Sequence, residues 1–371
     1  MSKARKLFRN PAAMSIRPSR RRLLQLTSVA AIALAARSAT AREGRPLRLG
    51  QIGVGHGHAS KLAVYRASPD GEVVGICEPP AALRAAAEKK EPYQGLPWMS
   101  RDELLAFDGL DVVLVETKPD TSLEHAAAAI AAGRHVHLDK PAGTSLPAYR
   151  KILDEANTKG LVVQMGYMFR FNPAVMLLRE FLEQGWLGEV FEVSAVMSKV
   201  VEPAARKEFA RFPGGMMFEL GCHVIDLVVA VLGKPDRVES VMRHSLETAA
   251  DMLADNTLAI LHYPRAMATV RASALEVEGF SRRHLTVCGT QGTFHIQPLD
   301  DPSVRITLDR DRGAFQQGIN VLPFPGFTRY SADAAEMAAM IRGETSSPFT
   351  PEHDLAVQET VLLAGGMPID G

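Results

Sequence analysis

The chain has 371 residues, 46% hydrophobic and 23% charged, which is long for one domain and comfortable for two in a soluble globular protein. Its formal net charge of +0 hides an asymmetry, because residues 1–41 carry nine Lys and Arg and no acid, leaving an acidic remainder. An acidic body lacks the basic face that phosphate backbones require, which excludes nucleic-acid binding.

The basic start reads as an export signal. Ser19-Arg20-Arg21-Arg22-Leu23-Leu24 resembles the twin-arginine motif, an apolar run Leu26–Ala36 follows, and Ala39-Thr40-Ala41 forms an A-x-A cleavage site. The run is too short to span a bilayer as an anchor. These features predict a signal peptide over 1–41, a mature protein starting near Arg42, and export in the folded state to the periplasm, with no membrane attachment after cleavage. Cys77, Cys222 and Cys288 cannot all pair and lack metal-type spacing, so they read as small buried side chains.

Leu47–Ile52 reads as a buried strand, followed by the turn Gly53-Val54-Gly55-His56-Gly57-His58 and a helix near 59–67. Gly53 and Gly55 take the first two positions of a dinucleotide fingerprint, and His58 stands where the third glycine would be. A second strand over Glu72–Cys77 ends at Glu78, where a carboxylate would hydrogen-bond the adenosine ribose and repel a 2′-phosphate. That favours NAD over NADP. Pro79-Pro80 opens a helix through Lys90, and Ser100 with Glu103 forms a capping box. Asp111–Val115 is a third strand, and Thr121–Ala132 a helix stopped by Gly133. Strand His135–Leu138 runs into Asp139-Lys140-Pro141, which places an ammonium at the carboxyl edge where a nicotinamide would lie. A helix over 147–158 and strand Leu161–Gln164 complete a doubly wound parallel sheet, an α/β Rossmann domain over 46–165. His56/His58 and His135/His137 are H-x-H pairs without a third ligand of known spacing, so no metal is expected.

After a helix near Pro173–Gln184, strands are expected over 190–200, 237–243, 258–262, 268–274, 284–289, 293–296 and 304–308. One helix, over 215–232, interrupts them, and helices over 332–342 and 353–363 follow. Consecutive strands imply a mainly antiparallel open-faced sheet with a helical layer, an α+β domain over 166–371. Glu219 and His223 fall four apart on one helical face among Met216, Met217, Phe218, Leu220, Val224 and Ile225. Such a pair is either a satisfied core pair or a site. Cys222 and Asp226 share a face in the same way.

From about Leu47 to its end the chain resembles the glucose–fructose oxidoreductase / inositol dehydrogenase / rhizopine catabolism (Gfo/Idh/MocA) family. The likeness rests on the Gly turn, Thr117 with Pro119, Gly133-Arg134-His135-Val136, Asp139-Lys140-Pro141, the run Gly166 to Pro173, the block Gly214 to Asp226, and His353-Asp354-Leu355. It implies a nicotinamide cofactor held by the turn, Thr117 and Asp139, with Lys140, Glu219 and His223 as the catalytic set. It also implies a carbohydrate substrate near Tyr167, Arg170, Asn172 and Asp226, the first three reading equally well as a structural motif at a helix entry, and a homo-oligomer built through the second sheet. In the implied chemistry His223 accepts the hydroxyl proton, Lys140 stabilises the oxygen, and Glu219 orients His223 or grips a neighbouring hydroxyl. The chain departs from the family pattern at Asp139 (usually Glu), Lys118 (usually Pro), His58 (usually Gly) and Glu219 (usually Asp). Outside the cytoplasm no free nicotinamide pool exists. An exported enzyme of this kind is therefore expected to hold and recycle its cofactor. It would do so as a sugar, polyol or glycoside oxidoreductase, or as a redox-neutral glycosidase or epimerase. A cofactor-bound sugar sensor without catalysis is the reading from another class.

Overall fold

The computed structural model describes residues 45–247, 250–324, 326 and 328–370; the expected signal peptide lies outside them. Five short apolar runs form the first sheet: β1 Leu47–Ile52, β2 Gly71–Cys77, β3 Val112–Val115, β4 His135–Leu138 and β5 Val163–Met165. They pair in the order β2-β1-β3-β4-β5, all parallel. Val112, Val113, Leu114 and Val115 are all fully buried, as a strand covered on both faces requires. The crossovers carry α1 Leu62–Ala67, α2 Ala81–Ala87, α3 Arg101–Leu105, α4 Pro119–Ala131 and α5 Leu146–Thr158. Both halves of the Ser100–Glu103 capping box are present at the start of α3. Because the strands are parallel, the residues that follow them share one edge: Gly53, Glu78, Glu116, Asp139 and Gly166.

The second sheet has eight strands in the order β13-β12-β11-β10-β6-β9-β8-β7. They are β6 Val190–Val196, β7 Arg237–Arg243, β8 Asn256–His262, β9 Met267–Ser273, β10 His284–Gly289, β11 Gly292–Ile296, β12 Ser303–Leu308 and β13 Gly318–Pro323. Only β6 and β9 pair in parallel. Period-2 alternation buries Thr257, Ala259 and Leu261 of β8 and Ala268, Val270 and Ala272 of β9. Their face is covered by α8 Cys222–Leu232, which packs against α11 Pro351–Ala364. Helices α6 Pro173–Glu183, α7 Pro203–Phe209 and the short α9 Gly279–Arg282 complete this half. α10 Ser331–Ile341 returns to the first sheet, where Ala334, Met337 and Ala338 join the core of Leu47, Leu49, Ile76, Val112 and Leu114. Among the described residues no helix is long and apolar enough to cross a membrane.

Three elements, α7, α9 and β13, were not anticipated from the sequence. The helix expected over 215–232 is divided: a π-helical turn over Met217–Gly221 precedes α8. That turn changes where Glu219 points.

Candidate active site

The glycine turn after β1 is fixed by close backbone approach. Gly53 has φ 98°, and a Cβ there would lie 2.6 Å from the Glu116 carbonyl at the end of β3. Above the turn there is room, since a Cβ on Gly57 would meet nothing within 4 Å. Val54 N donates to Glu78 Oε2 at 2.7 Å, which ties the end of β2 to the turn. Burial pushes the Glu78 carboxyl up, opposed by that N–H and by Lys118. The Thr117 hydroxyl is buried without a partner. An open turn, an unpaired hydroxyl and a carboxylate at the second strand's end fit a dinucleotide.

Asp139, after β4, gathers three cations or potential cations. His56 Nδ1 pairs with its Oδ2, while His58 Nδ1 (3.2 Å) and Lys61 Nζ (3.1 Å) reach its Oδ1. Gly166 makes room for this, because a Cβ there would stand 2.7 Å from Oδ1. Burial lowers His56, but Asp139 outweighs it and the net shift is upward. Burial pulls His58 down to about 4, against the same Asp139. Of the two imidazoles His56 is the easier to protonate. Asp139 itself is held well below its usual range: burial raises it, and His56 and Lys61 overcome that. His56, His58 and Asp139 bring donor atoms within 4.8 Å of one another. The carboxylate, however, is already spent on cations of the chain itself.

Lys61 is fully buried, 3.0 Å from Glu116 Oε1 and 3.1 Å from His137 Nε2. Burial drives His137 down to about 3, with Lys61 adding to it, and its Nδ1 faces Gln164 Oε1 at 2.9 Å. Lys61 and Glu116 escaped the sequence reading. Glu116 could have been found, because it is an acid closing an apolar strand, as Asp139 is. Lys199, partly buried beyond β6 and electrostatically linked to Glu219, Lys140 and Arg283, also escaped it.

Lys140 is 2% exposed and donates to the Glu219 carbonyl oxygen at 2.8 Å and to its Oε1 at 3.0 Å. Burial opposes the ammonium, but Glu219 holds its pKa above the ordinary value. Glu219 was expected to orient His223 or to grip a neighbouring hydroxyl; within the π turn its carboxylate is paired with Lys140. His223 is 1% exposed, its Nδ1 has no partner, and burial followed by Lys140 holds it well below the usual imidazole value. Its ring lies 5.5 Å from that of His58, 6.0 Å from Phe169 and 6.3 Å from Tyr167.

The residues expected around the substrate divide. Tyr167 faces His223 with its hydroxyl buried and unpaired. Arg170 stands one layer behind, 4.9 Å from the Tyr167 ring, bonded to Asp226 at 2.6 Å and Asp354 at 2.5 Å, with His353 3.2 Å from Asp226. Arg170 and Asp226 are thus paired with each other in the interior rather than presented to a ligand. Asn172 is the N-cap of α6: Oδ1 accepts from Ala174 N at 2.9 Å and Nδ2 donates to Leu299 O at 2.8 Å.

A parallel nucleotide-binding sheet, a glycine turn at its carboxyl edge and a lysine–imidazole site facing a second open sheet define a dinucleotide-dependent oxidoreductase. Two family models match the chain: the oxidoreductase family, NAD-binding Rossmann fold, over residues 47–167, and the GFO/IDH/MocA C-terminal domain over 175–295. The chain belongs to the Gfo/Idh/MocA family of NAD(P)-binding oxidoreductases. The uncharacterized oxidoreductase YhhX of Escherichia coli (strain K12) is 30% identical over 200 residues, 54% of this chain and 56% of that protein. The chain therefore spans about half the length of the curated relatives it matches. UDP-N-acetylglucosamine 3-dehydrogenase GnnA from Acidithiobacillus ferrooxidans superposes with a TM-score of 0.72 at 20% identity, covering 88% of this chain and 98% of that one. KijD10, a 3-ketoreductase from Actinomadura kijaniata in complex with TDP-benzene and NADP, does so with a TM-score of 0.69 at 21% identity, covering 86% and 96%. At such identities these two show a shared fold.

Proposed function

We propose that the protein oxidises a secondary alcohol of a sugar, polyol or glycoside, with NAD bound along the glycine turn. The observation that carries this is the Lys140 ammonium, buried and held by Glu219 at the sheet edge, acting electrostatically on a buried neutral His223 in α8. Bound nicotinamide supplies the hydride acceptor. His223, kept neutral by burial, takes the hydroxyl proton. Lys140 donates to the same oxygen and stabilises the negative charge that develops on it. Glu219 fixes the ammonium in place, and Tyr167 with its free hydroxyl borders the pocket. Named relatives support the substrate class: one acts on UDP-N-acetylglucosamine and one is a 3-ketoreductase. Glu78 at the end of β2 supports NAD. Titrating stripped protein with both cofactors tests this, and tighter binding of NADP would reverse the assignment.

The twin-arginine-like start supports export and, with it, a retained cofactor. The same feature favours a second reading, a redox-neutral glycosidase or epimerase that oxidises a carbon transiently and restores it. A panel of myo-inositol, glucose and methyl glucosides, assayed with and without added NAD, separates the two. Consumption of NAD marks a net oxidation, product without consumption marks the redox-neutral route, and binding without product marks a sensor. We further propose a homo-oligomer through the outer face of the second sheet, which exposes Phe191, Val241, Met267, Ile319 and Val321. Analytical ultracentrifugation tests it, and a monomer at micromolar concentration would refute it.

A further inference from the structure

Among the described residues His223 has no carboxylate bonded to it. Glu219, four residues earlier, is bonded to Lys140, and the His223 Nδ1 is buried with no partner. A base that takes a proton in such a setting leaves a buried cation beside the Tyr167 and Phe169 rings and under the charge of Lys140. The group that lies between this ring and a carboxylate is His58. Its ring centroid is 5.5 Å from that of His223, and its Nδ1 is 3.2 Å from Asp139 Oδ1. Its side chain is 19% exposed, so it also offers an exit to solvent. It stands at the fingerprint position where a glycine would have no side chain to give.

We propose that His58 is the second member of a proton relay, receiving from His223 the proton removed from the substrate hydroxyl while Asp139 holds its far nitrogen. The proposal rests on His223 being the base of the reaction described above. In the oxidation, the C–H bond gives its electron pair and hydrogen to the nicotinamide as hydride, and the carbon–oxygen bond becomes a carbonyl. The O–H proton passes to His223, then to His58, and leaves to water. The charged and titratable groups around His58 are Asp139 and Lys140 from the end of β4, Lys61 on the same carboxylate, His56 from its own turn, His223 from α8, and Tyr330 ahead of α10. Asp139 is the largest charge acting on His58 and favours an imidazolium there, although Lys140 and His56 oppose it, whereas Lys140 is the largest charge acting on His223 and disfavours one there.

Two measurements test this. The first needs no substrate. Nitrogen-15 histidine spectra of the purified protein should show neutral His58 with its proton on Nδ1, and His58→Gln should shift the His223 resonances. A His58 proton on Nε2, or a His223 signal indifferent to the substitution, overturns the relay. The second uses the panel member that the wild type oxidises. His58→Gln should lower kcat by about tenfold or more, with KM nearly unchanged and the acid limb of the kcat profile displaced. A superimposable profile overturns the proposal even if stability falls. Should the wild type oxidise none of the panel, the oxidoreductase reading fails, while the spectra still decide where the His58 proton lies.

Discussion

Lys140 and Glu219 hold each other where the proposed reaction would receive an alcohol oxygen, so truncating the lysine would remove that oxygen's donor and free a buried carboxylate. Lys140→Ala is expected to keep the fold and bound cofactor yet lose about two or more decades of kcat. Turnover on the identified substrate, beside a cofactor titration, checks this, and near-normal kcat would take Lys140 out of the chemistry. The histidines carry a separate consequence. His58, His137 and His223 are all held below the ordinary imidazole value, chiefly by burial. A base whose folded pKa is lowered binds its proton more readily when unfolded. Stability is therefore lost as pH falls below the unfolded value of about 6.5, at up to about 1.4 kcal/mol per pH unit for each such group. The window extends to about 4 for His58 and about 3 for His137. His56 is raised and opposes the trend, as do the buried carboxyls of Glu116 and Asp333, each raised to about 7, while His125, His135, His284 and His295 are lowered and add to it. Melting temperature should drop from neutral pH toward about pH 5, and a flat profile by calorimetry would contradict neutral burial of these rings.

At the scale of elements, α6 depends on Asn172, which caps its first turn and also satisfies the Leu299 carbonyl. Asn172→Ala should cost about 1 kcal/mol for the cap and about 1–3 kcal/mol for the unpaired carbonyl, with KM unaltered. A raised KM at unchanged stability would return Asn172 to the substrate pocket. This residue also illustrates what sequence can and cannot reveal. The parallel sheet was legible because its strands are short apolar runs punctuated by Gly and Pro, and chain order then fixed the edge where Glu78, Asp139 and Lys140 stand. The partners of Arg170 were not legible, since Asp226 and Asp354 lie 56 and 184 residues away. Nor was the π turn, because a period of 3.6 residues predicts Glu219 beneath His223, and one inserted residue per turn rotates it toward Lys140. β13 was missed because its alternation is half-exposed throughout.

For the molecule as a whole, the two sheets are joined by buried polar contacts that bracket the cofactor edge. Lys140 reaches Glu219, and Gln358 accepts from Ala142 N at 3.1 Å and donates to the Gly143 carbonyl at 2.8 Å. Helix α10 adds apolar packing from the far end of the chain onto the first sheet. Separating the halves would strand several buried donors and acceptors at about 1–3 kcal/mol each, so wide opening is rare. A dinucleotide seated between them should then leave slowly, which is the property an enzyme without access to a cofactor pool requires. Protein purified without added nucleotide and desalted extensively should therefore release close to one nicotinamide dinucleotide per chain on denaturation, identified by mass spectrometry. It should also turn over its substrate with no cofactor supplied. The Gln358→Ala variant, which loosens the joint without touching the turn, should release the dinucleotide faster during the same desalting. Apoprotein after a single gel-filtration step, with activity restored only by added NAD, would show instead an ordinary exchanging dehydrogenase.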